Sequence, residues 1–207
     1  MDGLSRSAIP ERFFMERNIM WTPWSEPGLE DLRLTQQDGG MLADSIIVGV
    51  SNRMPFRLHY EITCDSNWNV KKLDLALLSG SRKSLKILAD GQGHWSTHKG
   101  DPIPSLDGCL DIDISATPFT NTLPIRRLKL SPGQSAELLV AYVLIPEIEL
   151  MTDRQRYTCL ELHAQGGLYR YESMESDFKA ELPVDSDGLV IDYPGLFKSI
   201  WRSEVTT

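Results

Sequence analysis

The chain has 207 residues, of which 41% are hydrophobic and 24% are charged, a composition typical of soluble globular proteins. A length of this order predicts one large domain or two small ones, and because no linker is evident we expect a single domain. The 21 Lys and Arg residues and 29 Asp and Glu residues give a net charge of −8, which argues against nucleic-acid binding and against docking on an anionic membrane surface.

The N-terminal segment carries both signs of charge and lacks the apolar stretch of a secretory signal. We treat residues 1–20 as an N-terminal extension, either flexible or partly helical, and residues 21–207 as the folded domain. No apolar run reaches the length of about 18 residues that a transmembrane helix needs, so we expect no integral membrane association. The chain has three cysteines, Cys64, Cys109 and Cys159, and none of them forms a C-x-x-C pair. This pattern favours reduced thiols and a cytoplasmic location.

Alternation of apolar and polar residues dominates the rest of the chain and predicts β-strands. Turn signals recur about every ten residues, which is typical of an all-β protein. Residues 136–145 form a longer apolar run, interrupted by Glu137, which predicts a strand covered on both faces. The predicted strands lie, in chain order, at residues 56–64, 73–78, 84–88, 110–114, 136–145, 157–162, 167–172, 178–184 and 188–193.

Helix signals are few, and the clearest covers residues 117–123. Thr117 can cap a helix, and the proline that follows it suits the first helical position. We expect Pro124 to end this short helix, because the residue before a proline disfavours the helical conformation. Two further helices are predicted near the ends of the chain, at residues 10–18 and 193–201.

A candidate polar site lies around this helix. Asp111 and Asp113 alternate with apolar residues, so both carboxylates point to one face of a strand, which is either a solvated surface or a pocket wall. If Arg126 and Arg127 belong to the next strand, they point to opposite faces and only one can meet the acidic pair. Asn121 can fix a turn or bind a sugar hydroxyl.

Other chemistry-bearing motifs are weak. His94 and His98 are four residues apart, but the surrounding glycines favour a hairpin tip over a helical metal pair, so no metal site is predicted. The chain has no dinucleotide-binding fingerprint, P-loop or hydrolase nucleophile motif, and no cofactor is predicted. The tryptophans and tyrosines either pack in the core or line a cavity.

The central segment LDGCLDIDISATPFTNTLPIRRL resembles the signature of a bacterial family named for glycolipid binding and first defined as a domain of unknown function. The segments WSEPGLEDLRL, YEITCDSNW, DGQGHW, QRYTCLEL and DGLVIDYPGLF resemble further landmarks of that family in the same order. The resemblance extends from about Trp21 to Phe197. It implies a mainly β, single-domain antiparallel spiral β-roll wrapped around one α-helix, with an acidic pocket and a homodimeric assembly.

We therefore expect a non-catalytic protein that binds a glycolipid or related amphiphile. An apolar interior would take the acyl chain, polar groups at its mouth would select the head group, and one tryptophan would stack on a sugar. Two alternatives stay open, namely an enzyme acting on a sugar or lipid conjugate through paired carboxylates, and a dimeric interaction protein without a small-molecule ligand. The candidate ligand-binding residues are Asp111, Asp113, Asn121, Arg126, Arg127, Glu61, Trp95 and Tyr171.

Overall fold

The computed structural model describes residues 16–37, 39–80 and 82–203, and strands dominate these residues. The strands form two open, curled sheets, which we call the large sheet and the small sheet. Their bounds are β1 Glu16–Pro23, β2 Gly28–Gln37, β3 Gly40–Ser51, β4 Met54–Asp65, β5 Val70–Leu77, β6 Ser84–Ala89, β7 Trp95–Thr97, β8 Asp111–Ile114, β9 Ser135–Leu144, β10 Glu149–His163, β11 Gly166–Ser173, β12 Lys179–Asp185, β13 Asp192–Tyr193 and β14 Phe197–Arg202.

The large sheet has nine strands in the order β13-β14-β1-β2-β3-β4-β5-β6-β7, and every neighbouring pair is antiparallel. The small sheet has five strands in the order β12-β11-β10-β9-β8. Its pairs are antiparallel except β8 and β9, which are parallel and therefore need a crossover connection. The predicted mainly β fold with curled antiparallel sheets and one short α-helix is confirmed.

Period-two burial explains how the large sheet contributes to the core. In β4 the side chains of Phe56, Leu58, Tyr60, Ile62 and Cys64 are all buried, as the alternation predicted. They belong to one core cluster with residues of the small sheet and its connection, including Ile112, Ile114, Phe119, Leu123, Ala141 and Val143. The first core therefore lies between the two sheets.

A second core covers the opposite face of the small sheet. Leu138, Val140 and Tyr157 contribute from the sheet, and Ile125 and Val190 contribute from the segments that cover it. Consecutive residues of β9 thus enter different cores, which confirms the prediction that residues 136–145 form a strand covered on both faces.

The connection between β8 and β9 contains the predicted helix. A 3-10 turn at Phe119–Asn121 leads into the α-helix α1 at Thr122–Leu128. The expectation that Pro124 ends the helix is wrong, because this proline lies in the first turn of α1, where its missing N–H leaves no intrahelical hydrogen bond unmade. The helix ends instead at Lys129, whose backbone is left-handed with φ 49°.

The two other predicted helices have different outcomes. The helix at residues 193–201 is wrong, since Phe197–Arg202 forms β14 and pairs with β1. For the helix at residues 10–18, residues 10–15 lie outside the described part, and β1 already begins at Glu16. The predicted domain start at residue 21 consequently falls inside β1, in which Ile19 is fully buried. Among the described residues, no helix combines the length and apolarity needed to cross a bilayer.

Candidate ligand-binding site

A pocket of about 410 Å³ lies beside the end of β8, and we call it the polar pocket. Its lining comes from β8, the β8–α1 connection, β9, β10, β11, β13, β14 and the connections from β11 to β12 and from β13 to β14. Within the described ranges, the lining includes two carboxylates and neither lysine nor arginine. The lining residues are Asp113, Ile114, Ser115, Thr117, Asn121, Tyr142, Met151, Thr152, Asp153, Tyr171, Ser173, Ser176, Phe178, Tyr193, Leu196 and Phe197.

The carboxylates of this pocket are Asp113 and Asp153, and Gln155 joins them. The Gln155 side-chain amide donates to Asp113 at 2.8 Å and to Asp153 at 3.0 Å, while the Thr120 hydroxyl donates to Asp113 at 2.8 Å. Burial raises the pKa of Asp113 above its ordinary value, the hydrogen bonds from Thr120 and Gln155 lower it, and the charge of Asp153 raises it further. The pocket therefore offers acceptor oxygens held at fixed positions.

Asp111, the other half of the predicted acidic pair, lies elsewhere. It is fully buried and accepts hydrogen bonds from Nε and Nη2 of Arg127 in a bidentate arrangement. It does not line the polar pocket. The predicted role of Asp111 as a pocket wall is corrected in this respect, because its side chain is enclosed beneath α1, where Arg127 lies.

The two arginines lie on a helix rather than on the strand that we assumed. Successive residues of a helix are about 100° apart, so Arg127 meets Asp111 while the guanidinium of Arg126 lies 5.2 Å from the centre of the Trp68 ring. Arg126 does not line the polar pocket, and its contact with a ligand stays a prediction.

Two other predicted site residues also lie away from the pocket. Trp95 is 2% exposed and donates from Nε1 to the Cys109 carbonyl oxygen at 2.8 Å, so its ring is part of the first core and cannot stack on a sugar. Glu61 alternates with the buried residues of β4 and therefore faces the outside of the large sheet, 4.0 Å from Lys72.

The surroundings of Glu61 form the described group best suited to hold a metal ion. Candidate ligand atoms of Asp44, His59 and Glu61 lie within 4.8 Å of one another. His59 Nε2 is 2.8 Å from Asp44 Oδ1, so a hydrogen bond accounts for this geometry without a metal. His94 pairs in a similar way with Asp90 at 2.8 Å.

Asn121 and Tyr171 do line the polar pocket, as two of the predicted site residues. The Asn121 side chain is 4% exposed, accepts a hydrogen bond from the Tyr157 hydroxyl at 2.8 Å and donates to the Pro118 carbonyl oxygen at 3.1 Å. Tyr171 packs edge-on against Tyr193, with ring centres 6.1 Å apart. Asn121 thus fixes the pocket wall, and the tyrosines supply an aromatic surface.

A second pocket of about 240 Å³ adjoins the first, and we call it the apolar pocket. It shares Ser115, Leu196 and Phe197 with the polar pocket. Most of its other lining residues are apolar, namely Trp21, Pro23, Pro27, Leu29, Ile47, Val48, Val50, Phe56, Ala116 and Ile145. Its remaining lining residues are Ser25, Glu26, Glu30, Gly49, Ser51 and Gly195.

Glu30 is a buried carboxyl in the lining of this apolar pocket. The hydroxyls of Tyr60, Thr117 and Ser45 donate to its Oε1 at 2.7, 2.8 and 2.9 Å. Burial raises the pKa of Glu30 to about 7, although these hydrogen bonds oppose the increase. Sequence reasoning missed this residue, yet Glu30 shares the period-two face of the buried Leu32 and could have been placed inside on that basis.

Comparison with known proteins places the chain in a family. The model of the family described as "Putative glycolipid-binding" matches residues 18–199, a span that holds both pockets. The chain belongs to this family. No curated protein matches the chain significantly.

A solved relative has the same fold. The crystal structure of a DUF1089 family protein from Pseudomonas aeruginosa, at 1.80 Å resolution, is 42% identical to this chain. The match covers 83% of this chain and 91% of the other, with a TM-score of 0.74. The family assignment and the fold thus rest on two independent comparisons.

Proposed function

We propose that this family member binds a glycolipid or related amphiphile, with the head group in the polar pocket and an acyl chain in the apolar pocket. The adjoining of two pockets of opposite character supports this function. Ser115, Leu196 and Phe197 line both pockets, so one ligand can occupy both without leaving the protein. The name of the family agrees with this ligand class.

The apolar pocket would provide most of the affinity. Transfer of a methylene group from water to an apolar environment contributes about 0.8 kcal/mol, so a few buried methylenes exceed the net contribution of one hydrogen bond. Trp21 and Phe56 give this pocket aromatic walls. A chain of modest length therefore suffices for measurable binding.

The polar pocket would select the head group. Carboxylate oxygens of Asp113 and Asp153 accept hydrogen bonds from sugar hydroxyls, and the rings of Tyr142 and Tyr171 offer apolar faces and phenolic hydroxyls. An uncharged or cationic head group fits this lining better than a phosphate, because the lining carries carboxylates and, among described residues, no cationic side chain.

Asp111, Arg127 and Asn121 would support the pocket by fixing the position of α1 and of the turn before it. Asp111 and Arg127 hold α1 against β8, and Asn121 fixes the turn before that helix. Acid–base catalysis by Asp111 and Asp113 fits the arrangement poorly, since Asp111 is enclosed and engaged by Arg127. Binding without catalysis is therefore the function that this site supports best.

Native mass spectrometry of the purified protein, followed by organic extraction and lipid analysis, tests the proposal. We expect a co-purifying or added glycolipid to shift the mass of the protein. Asp153→Asn should weaken binding, while Glu149→Gln, which removes the same charge from β10 at an exposed position outside the polar pocket, should not. A wild-type mass that never shifts with added glycolipids would refute the function.

The apolar pocket has its own matched pair of variants on β3. Val48 lines this pocket and is 47% exposed, whereas Ile46 does not line it and is 42% exposed. We expect Val48→Asp to weaken binding of the acylated ligand and Ile46→Asp to leave it unchanged. Equal binding by both variants would contradict the placement of the acyl chain.

The homodimer implied by the family resemblance and the cytoplasmic location stay predictions. Sedimentation equilibrium should give twice the mass of the chain, and cell fractionation should place the protein with cytoplasmic markers. A monomer at the concentrations used for ligand binding would show that the pockets of one chain suffice for function.

A further inference from the structure

The carboxyl group of Glu30 has two oxygens in very different surroundings. Three hydroxyl donors, from Ser45, Tyr60 and Thr117, converge on Oε1. Among the described residues, Oε2 is buried and has no hydrogen-bond partner. Buried polar atoms are nearly always satisfied in native proteins, so Oε2 requires a partner from outside the chain, such as a water molecule or a ligand.

The hydrogen bonds decide where the proton of this carboxyl group lies. Because donors surround Oε1, a protonated Glu30 carries its hydrogen on Oε2. Burial raises the pKa of Glu30 to about 7, and the neighbouring charge of Asp31 adds to the increase, so much of the protein holds this proton at neutral pH. Glu30 then presents an O–H donor that lacks an acceptor within the described part of the protein.

The position of this donor lies between the two pockets. Glu30 lines the apolar pocket, and Thr117, which donates to it, lines the polar pocket. In an amphiphile that spans both pockets, the atoms near this position are those that link the head group to the chain. An acceptor in an otherwise apolar lining is best supplied by a carbonyl oxygen, which accepts without adding a charge.

We propose that Glu30 binds the carbonyl oxygen of an ester or amide that joins the head group to the acyl chain, by donating a hydrogen bond from Oε2. This inference rests on the proposed function, and it specifies the linkage that the ligand must contain. An acyl-linked ligand satisfies the buried donor, whereas an alkyl ether of the same length leaves it unsatisfied.

A matched pair of ligands tests this proposal with the wild-type protein. One probe is glucose carrying a decanoyl ester at its primary hydroxyl, and the other is the same sugar carrying a decyl ether there. We expect the ester to bind with a dissociation constant roughly tenfold lower than that of the ether, as one satisfied buried donor implies. Equal dissociation constants would overturn the role of Glu30 and leave amphiphile binding intact, whereas no binding of either probe would count against both.

Variants identify the residue responsible. Glu30→Gln retains an N–H donor and should keep the ester preference, whereas Glu30→Met lacks a donor and should lose it. Glu149→Gln changes an exposed carboxylate that lies outside both pockets, and it should leave the preference unchanged. Circular dichroism shows whether Glu30→Met is folded. A spectrum that differs from that of the wild type would mean that misfolding, and not the missing donor, removed the preference for the ester.

An infrared measurement keeps the test independent of folding in the methionine variant. With an isotope-labelled ester carbonyl, binding to wild type and to Glu30→Gln should move the carbonyl band to lower frequency, as hydrogen bonding to that oxygen does. A bound ester whose band stays at the frequency of a carbonyl in an apolar solvent would overturn the proposal.

Discussion

Replacement of Glu30 by glutamine should make the protein more stable at neutral and alkaline pH. Burial raises the pKa of Glu30 from its ordinary 4.5 to about 7, so the folded protein keeps a proton that the unfolded chain has released. In that window the folded state binds more protons, and the free energy of unfolding therefore falls as pH rises. The difference between 4.5 and about 7 corresponds to roughly 3 kcal/mol, since each pH unit is worth about 1.4 kcal/mol.

Glutamine keeps a carbonyl oxygen for the hydroxyls of Ser45, Tyr60 and Thr117 but has no titrating proton. Relative to wild type, the free energy of unfolding of Glu30→Gln should therefore rise by roughly 3 kcal/mol between pH 4.5 and pH 8. Urea unfolding followed by tryptophan fluorescence across this range measures the difference.

Glu137→Gln is the control for this measurement. The hydrogen bond from Arg156 lowers the pKa of Glu137, so the stability that this residue contributes is present above pH 4.5 and is lost only below it. The difference between Glu137→Gln and wild type should accordingly stay constant over the same range. A constant difference for Glu30→Gln as well would refute the assignment of a buried proton to Glu30.

Three further predictions concern the helix and the cores. Arg127→Met leaves the fully buried Asp111 without its cation. In urea titrations this variant should lower the free energy of unfolding by about 3 to 5 kcal/mol, and a loss below about 1 kcal/mol would mean that Asp111 finds another partner. Phe119→Ala removes an aromatic ring that is 1% exposed in the first core and should cost about 3 to 5 kcal/mol in the same assay, whereas truncation of the 68% exposed Met54 should cost little. The three cysteines are buried, and burial raises the pKa of each thiol. Alkylation of these thiols at pH 8 should therefore be slow in the folded protein and fast in urea. Rapid alkylation without urea would contradict their burial.

The strands were predictable where one face of a strand is buried, because burial then imposes period two on the sequence. Residues 56–64 show this pattern completely, and β4 follows it residue by residue. Residues 193–201 contain apolar residues at helical spacing, which predicted a helix. They include most of β14 instead, because pairing with the edge of β1 supplies backbone hydrogen bonds that local spacing cannot reveal.

The site was only partly predictable, because its members come together through pairing that is distant in sequence. Asp113 and Asn121 were found because they lie close together in an unusual segment. Gln155 of β10 links Asp153 to Asp113 by hydrogen bonds, and nothing in the sequence gives the parallel register of β8 and β9 that brings them together. Glu30 was missed because no strand was predicted at residues 28–37, where Glu30, Leu32 and Leu34 alternate on one buried face.

The hydrogen bond from Thr117 to Glu30 also has a mechanical consequence. Apolar contacts between the large sheet and the small sheet are non-directional, so they resist separation of the sheets more strongly than sliding of one sheet past the other. A hydrogen bond is directional and fails when its partners slide by an ångström or two. This bond runs from the β8–α1 connection to β2, and it therefore sets the alignment of the small sheet along the large one. Because Glu30 lines the apolar pocket and Thr117 lines the polar pocket, the same bond also holds the two pockets in a fixed position relative to each other.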